Sequence, residues 1–362
     1  MEKPGRKGKE RIGQIVAWTV LLAAGWGTPA RGQSAVENPA LTGARGPMPV
    51  RNGRPYNLLF LQFTPELPDT LPAGGTRFGL HLDVFNNLLA PLPQGGATVQ
   101  EDNETQRLLF SWRQGLGRRT ELGVFVPALW RNGGFLDPFL SAWHSFFGLS
   151  GNAQDDPAGR GAQPKYRSIL RLVDANGVTQ VNEGNAFGPG DVSVTLKREL
   201  LPTTPRSALT LRLGLKLPTG NPNRLLGSGN VDAGLSLDGR YNVGRDILFF
   251  ANVGGLLLGH ANRVPNAQSA MFQGLIGVEY HPNRRDSFVF QIDGNSLAVR
   301  TGNGFADRAQ VTATFGYRRV LDSRHVLFAS FSENGDFHDY SLPLLSSIGP
   351  DFTISLGLEW RP

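Results

Sequence analysis

The side chains best suited to acid–base or metal chemistry near neutral pH are six histidines: His81, His144, His260, His281, His325 and His338. None lies four residues from another, and no HExxH, phosphate loop, GxSxG or complete GxGxxG occurs. The chain has no Cys, which removes thiol nucleophiles, thiolate metal sites and disulfides together. His144 and Ser145 could be read as the base and nucleophile of a hydrolase. They are adjacent on a predicted helix, however, and adjacent residues there do not face each other, so His144 reads as a polar helix-face residue. Asn303 with Asp307, and Asp336 with Asp339, could hold a surface cation, but solvated loop residues are the simpler reading. Leu217-Pro-Thr-Gly220 reads as a strand end and turn. The expectation is therefore no enzyme, no cofactor and no metal.

The remaining charges are organised by alternation. Arg77, His81 and Asp83 alternate with Phe78, Leu80, Leu82 and Val84. Arg212 and Lys216 alternate with Leu209, Leu211, Leu213, Leu215 and Leu217. Asp232, Asp238 and Arg240 share a stretch in which Val231, Ala233, Leu235 and Leu237 take the other face. Arg107, Arg113, Lys197, Glu279, Asp293, Arg308 and Glu333 fall on the polar face of similar stretches. A side-chain period of two means strand. Arg or Lys facing lipid at mid-membrane costs about 2–4 kcal/mol, whereas charges facing a wet lumen are tolerated. Two readings stay open: the lining of a transmembrane barrel, or the solvated face of a soluble antiparallel sheet.

The elements that would position these charges are twelve blocks: 76–86, 104–114, 120–130, 190–200, 206–217, 230–242, 246–257, 270–281, 286–298, 308–319, 325–334 and 351–360. Blocks 246–257 and 325–334 alternate poorly, because Leu248, Phe250 and Phe331 fall on the wrong face. Connections after even blocks are short (Gly115–Arg119, Leu201–Pro205, Val243–Arg245, Pro282–Arg285, Leu321–Arg324). Those after odd blocks are longer (87–103, 131–189, 218–229, 258–269, 299–307, 335–350). Short periplasmic turns alternating with long extracellular loops are the transmembrane-barrel pattern, and even strand numbers are the rule for bacterial single-chain barrels. Trp112, Trp130, Tyr241, Tyr280, Tyr317 and Trp360 lie near block ends, as an aromatic girdle requires. The last block alternates from Phe352 to Trp360, with its terminal aromatic third from the end. The spacing predicts an all-β fold, a transmembrane antiparallel barrel of about twelve strands within a range of 10–14.

Residues 1–32 read as an export signal: a basic start, an apolar run from Ile12 to Ala24 too short to span a bilayer, then small residues. They carry Lys3, Arg6, Lys7, Lys9, Arg11 and Arg31 against Glu2 and Glu10, so removing this +4 leaves only +2 of the chain's +6. A nearly neutral mature chain gives no case for a nucleic-acid partner. The expected location is the outer membrane of a Gram-negative bacterium, with outer-membrane lipid and the barrel-assembly machinery as partners. Residues 33–75 are rich in Pro and Gly and include the apolar stretch Tyr56–Phe63; the expectation is a lumen plug or a periplasmic cap. In loop 131–189, Asp137-Pro138 suits a helix start, and Phe139, Leu140, Trp143, Phe146 and Phe147 form one apolar face. That helix could plug the lumen, lie on the outer leaflet, cover a ligand path, or pack on its own loop. Residues 150–165 read as flexible.

Gly46-Pro-Met-Pro-Val-Arg-Asn52, Thr120-Glu-Leu-Gly-Val-Phe-Val-Pro127, Gly133-Gly-Phe-Leu-Asp-Pro-Phe139 and Trp143-His144 with Phe147-Gly148 resemble the bacterial family DUF3187. Gly214-Leu-Lys-Leu-Pro-Thr-Gly220 with Gly227-Ser-Gly-Asn-Val-Asp232 is similar to an outer-membrane family named for a phenol-degradation pathway. The resemblance covers most of the mature chain. It implies an outer-membrane barrel and brings no catalytic residues; the pathway name suggests apolar small molecules by association. The leading expectation is a passive channel or facilitator for small solutes, with a mixed-charge lumen and access restricted by the loop helix. A non-conducting structural or adhesive barrel and an outer-membrane hydrolase are the alternatives.

Overall fold

The computed structural model describes residues 46–94, 96–147, 166–304, 306–334 and 350–362, apart from the side chains at 90–94, 141, 143–145 and 147. The export signal, the start of the 33–75 segment, residues 150–165, and Asp336, His338 and Asp339 lie outside the described residues.

Twelve strands close into one antiparallel barrel. They are β1 (Thr76–Gln94), β2 (Ala97–Gly117), β3 (Thr120–Asn132), β7 (Val192–Glu199), β8 (Ser207–Leu217), β9 (Asp232–Val243), β10 (Ile247–Leu257), β11 (Ala270–Tyr280), β12 (Asp286–Asn295), β13 (Gln310–Val320), β14 (His325–Glu333) and β15 (Phe352–Trp360). The ring closes where β1 pairs with β15, Phe78 opposite Trp360 and Asn86 opposite Phe352. Closure leaves no open sheet edge, which a wall in lipid requires. Among the described residues no helix is long and apolar enough to cross a membrane.

The barrel strands bury most of their polar positions and expose most of their apolar ones. On β9, Asp232, Ser236, Asp238 and Arg240 are buried while Leu235, Leu237 and Tyr241 are exposed. That is the inverse of a soluble core and fits a barrel with lipid outside. Trp112, Tyr241, Tyr280, Tyr317 and Trp360 take outward positions near the short-turn ends, and Trp130 near the long-loop end. The β2–β3 turn shows how tightly the short ends close: Arg118 and Arg119 both have positive φ, 49° and 59°, the twist a two-residue hairpin needs.

Several boundaries differ from the sequence expectations. Connection 87–103 is a hairpin continuing β1 and β2, with Leu89 opposite Glu101 and Gln94 opposite Ala97. Its polar residues break the apolar alternation because nothing there has to face lipid. Loop 131–189 holds, besides helix α1 (Asp137–Phe147), three short strands: β4 (Ile169–Val173), β5 (Thr179–Glu183) and β6 (Ala186–Pro189). β4 pairs with β2, and β6 with the upper part of β3. Phe331 lies on the outer face and stacks on Phe315; the inward aromatic of β14 is Phe328. Glu333 shares its register position with outward Phe352 and so leaves the lumen set. Arg308 precedes β13 and is half-buried outside the strand.

Candidate functional site: the lumen and its strap

Residues 46–75 pass through the lumen as a strap, rising along β11–β13 and returning along β8–β9 and β2–β3. Near the short-turn end, Arg318 donates to the Gly46 and Pro47 carbonyls (both 3.1 Å) while pairing with Glu279 at 2.6 Å. Met48 N–H donates to Gln291 at 2.8 Å, and Gln291 donates back to the Met48 carbonyl at 3.2 Å. Arg51 donates to Asn252 at 2.9 Å and stands 4.0 Å from Asp293. Arg54 meets Glu101 at 2.6 Å, and Asn57 donates to Gln310 at 2.8 Å.

The chain turns over at Asn57–Phe60 and descends. Leu61 N–H donates to Asp232 at 2.7 Å. Glu66 accepts from Arg212 at 2.7 Å and is ion-paired with Arg113 at 3.0 Å and Lys197 at 3.6 Å. Asp69 takes Arg240 at 2.6 and 2.7 Å, and Leu71 N–H donates to Glu121 at 2.8 Å. Gly74 and Gly75 then exchange backbone bonds with Gly115 before β1 starts. Extended backbone in a lumen must find partners, and the inward polar side chains of the wall supply them.

Apolar contacts complete the fit. Met48 and Val50 pack on Phe85, Leu248, Phe250, Leu275, Val289 and Phe328. Leu248 and Phe250, apparent breaks in the alternation of β10, therefore face inward because the strap covers them. Phe63 sits where wall glycines leave room: a Cβ at Gly214 would come within 2.5 Å of its ring. At the long-loop end Tyr56, Leu59, Phe60 and Leu61 join Val99, Leu170, Leu172, Val181, Leu225, Leu258, Ala261 and Val264. The strap's apex and the inward-folded loops thus share one apolar cluster.

The inward charges expected from sequence divide by partner. Arg113, Lys197, Arg212, Asp232, Arg240, Glu279 and Asp293 touch the strap. Asp238 supports Arg212 at 3.1 Å. His81, Asp83, Arg107 and Arg77 are tied within the wall: Arg107 to Asp83 at 2.8 Å, Arg77 to Glu359 at 3.8 Å, and the buried His81 ring edge-on to Phe328. Lys216 ties the wall to a loop through Asp191 (2.5 Å), Ser228 (2.7 Å) and the Asn230 carbonyl (3.0 Å). Sequence reasoning missed Glu101, Glu121, Gln291, Gln310 and Asp191. The strap's Arg51, Arg54, Glu66 and Asp69, charges in an otherwise apolar and Pro-rich stretch, were the available signal.

One space beside the strap, about 60 Å³, lies between Leu58, Phe60, Gln62 and Thr64 and the wall residues Arg107, Leu109, Phe125, Pro127, Leu129, Asp191, Ser193 and Lys216. That holds a few waters. Above the wall, Asp174 closes the β4–β5 turn by accepting from Val178 N–H, Gln180 and Asn176 N–H. The Val178 bond, then the Gln180 bond, hold its carboxyl below the ordinary range. Helix α1 stands on the outer wall: Leu136 and Leu140 pack against Val84 and Phe352, and the Phe139 ring lies 5.8 Å from Phe352. It therefore does not restrict access at the mouth. The side chains of Trp143, His144, Ser145 and Phe147 lie outside the described residues, and no group of metal-binding side chains occurs among the described ones.

The fold is shared with a solved structure. The COG4313 outer membrane channel from Pseudomonas putida F1 superimposes with a TM-score of 0.51 at 12% identity, over 83% of this chain and 100% of that one. The P. putida toluene transporter TodX aligns at 0.38 and 12% identity, over 91% and 95%. The NanC porin aligns at 0.40 and 9%, over 80% and 100%. Among proteins with a curated description, none matches the sequence. Residues 34–361 match the family described as "Protein of unknown function (DUF3187)", and with the whole strap and barrel inside that match the chain belongs to this family.

Proposed function

We propose that the protein is an outer-membrane channel for small solutes, that apolar ones are favoured, and that residues 46–72 are a lumen plug whose displacement opens the path. The observation that carries this reading is the apolar cluster at the long-loop end. A permanent stopper needs only a good fit to the wall. Here Tyr56, Leu59, Phe60 and Leu61 are buried against loop residues such as Leu225, Leu258 and Val264. An apolar solute arriving from outside competes for that surface, because burying its own apolar area replaces the contacts the apex gives up. A polar solute has no such gain. The channel neighbour with the same fold supports transport over catalysis.

The test is influx into liposomes carrying the refolded protein. A small neutral aromatic should equilibrate faster than through protein-free liposomes, and a sugar of similar size should gain much less. Equal acceleration of both would remove the apolar preference.

The second reading, a non-conducting structural barrel, is favoured by the buried ion pairs that hold the strap in the lumen. It predicts no acceleration for either solute. The hydrolase reading rests on His144 and Ser145 alone, and loss of a measured esterase activity in His144→Ala would be needed to revive it.

A further inference from the structure

Helix α1 is fastened to the outside of the barrel by three separate devices. Its Leu140 is fully buried against the outward residues Val84 and Phe352. The segment leading into it is held by Glu104, an outward residue of β2 that is only 1% exposed and accepts the Phe135 N–H at 2.7 Å and the Leu136 N–H. Asn132, at the end of β3, donates to outward Gln106 at 2.6 Å and accepts the Gly134 N–H of that same segment at 2.6 Å. A carboxylate on the lipid side is costly unless its hydrogen bonds are satisfied, and here the loop's own amides satisfy one of its two oxygens.

The height of this attachment follows from β1. Phe78 stacks on Trp360 of the lower aromatic girdle at 5.4 Å, and Val84 stands six residues further up the same strand. At about 3.3 Å per residue and a tilt of about 40°, the helix contact lies roughly 15 Å above that girdle. An apolar band about 25 Å tall extends beyond it. Away from that contact, Phe135 and Phe146 are exposed by 63% and 82%, and Phe139, 46% exposed, flanks Phe352 at its edge. The only charged residue of the helix is Asp137 in its first turn.

We propose that α1 is an outer-leaflet helix, its Phe135–Phe139–Phe146 side embedded in the acyl chains of outer-membrane lipid and continuous with the barrel's apolar belt. This rests on the barrel spanning a membrane and not on its conducting anything. The helix thickens the wall at the β1–β15 seam, where the barrel closes, and shields the buried Glu104 carboxylate from hydrocarbon.

The Cys-free chain makes the test direct. Phe146→Cys and, separately, Phe135→Cys are spin-labelled in lipid bilayers, and collision with oxygen is compared with collision with a water-soluble nickel chelate. Ile276→Cys on the exposed belt and Ala175→Cys in the β4–β5 turn serve as lipid and water references. Both helix sites should show the oxygen-to-nickel ratio of the Ile276 site. A ratio like that of Ala175 overturns the proposal by placing the helix in water. Poor access to both reagents, with a single label-to-label distance between molecules, overturns it in favour of a second copy. Heat-modifiable migration of each variant confirms that the barrel remains folded.

Discussion

Glu66→Gln should loosen the strap without changing its shape. Glu66 is the strap's meeting point for Arg212, Arg113 and Lys197, whose side chains are exposed by only 0, 5 and 4%. Removing one partner of a buried ion pair costs about 3–5 kcal/mol, because the other charge is left uncompensated. Asp238, Glu359 and Glu121 remain at 3.1, 3.4 and 2.9 Å from Arg212, Arg113 and Lys197, which argues for the low end. About 3 kcal/mol corresponds to a roughly 100-fold rise in the unseated population. The assay uses Leu59→Cys, a single thiol at a position only 1% exposed at the apex. Maleimide labelling of the folded, unboiled protein in micelles reports each departure of the apex from its cluster. Glu66→Gln in that background should label about two orders of magnitude faster. Labelling at the parent rate would refute the argument that this ion cluster seats the strap.

Phe63→Ala should lower the thermal midpoint and free the strap, since truncating a buried Phe costs about 3–5 kcal/mol and its ring lies 4.9 Å from the Arg212 guanidinium carbon. Gly214→Val should destabilise by about 1–3 kcal/mol through overpacking against that ring, and in the double variant the losses should be less than additive in a denaturant titration. The β4–β5 turn should be pH-dependent. The Asp174 carboxyl is depressed in the folded state, so its contribution is present above the ordinary Asp pKa of about 3.9 and is lost as pH falls through the folded value. Amide protection at Asn176 and Val178, taken against the unfolded-chain rate at the same pH, should fall on acidification below about pH 4 in the parent and be low throughout in Asp174→Asn. Heat-modifiable gel migration should show a shift between boiled and unboiled protein, and identical migration would argue against a closed barrel.

The wall was legible because lipid imposes a rule on every strand. Outward positions must be apolar, so period-two alternation in β8 or β9 survives as a readable signal, and turn-length parity orders the strands. The interior obeys no such rule. Leu248 and Phe250 look like errors in β10 until the strap is seen covering them. The polar β1–β2 hairpin escaped because alternation fades where no lipid has to be met. Inward charges such as Arg212 and Glu279 were identifiable by face, but their partners were not: Glu66 lies 146 residues from Arg212 and Gly46 lies 233 from Glu279. Helix α1 was legible as an element from Asp137-Pro138 and its aromatic spacing. Its seat was not, since that depends on Glu104 and Val84, two residues ordinary in their own strands.

The most direct test of the account is single-channel conductance in planar bilayers, comparing the full mature chain with a chain lacking residues 47–63. The deletion removes the rising limb and apex of the strap, with Met48, Arg51, Arg54 and Phe63, and leaves every barrel strand in place. The account predicts that the full chain is nearly silent and that the deleted chain passes a steady current. Equal conductance in the two, once heat-modifiable migration shows both barrels folded, would contradict a strap that closes the lumen.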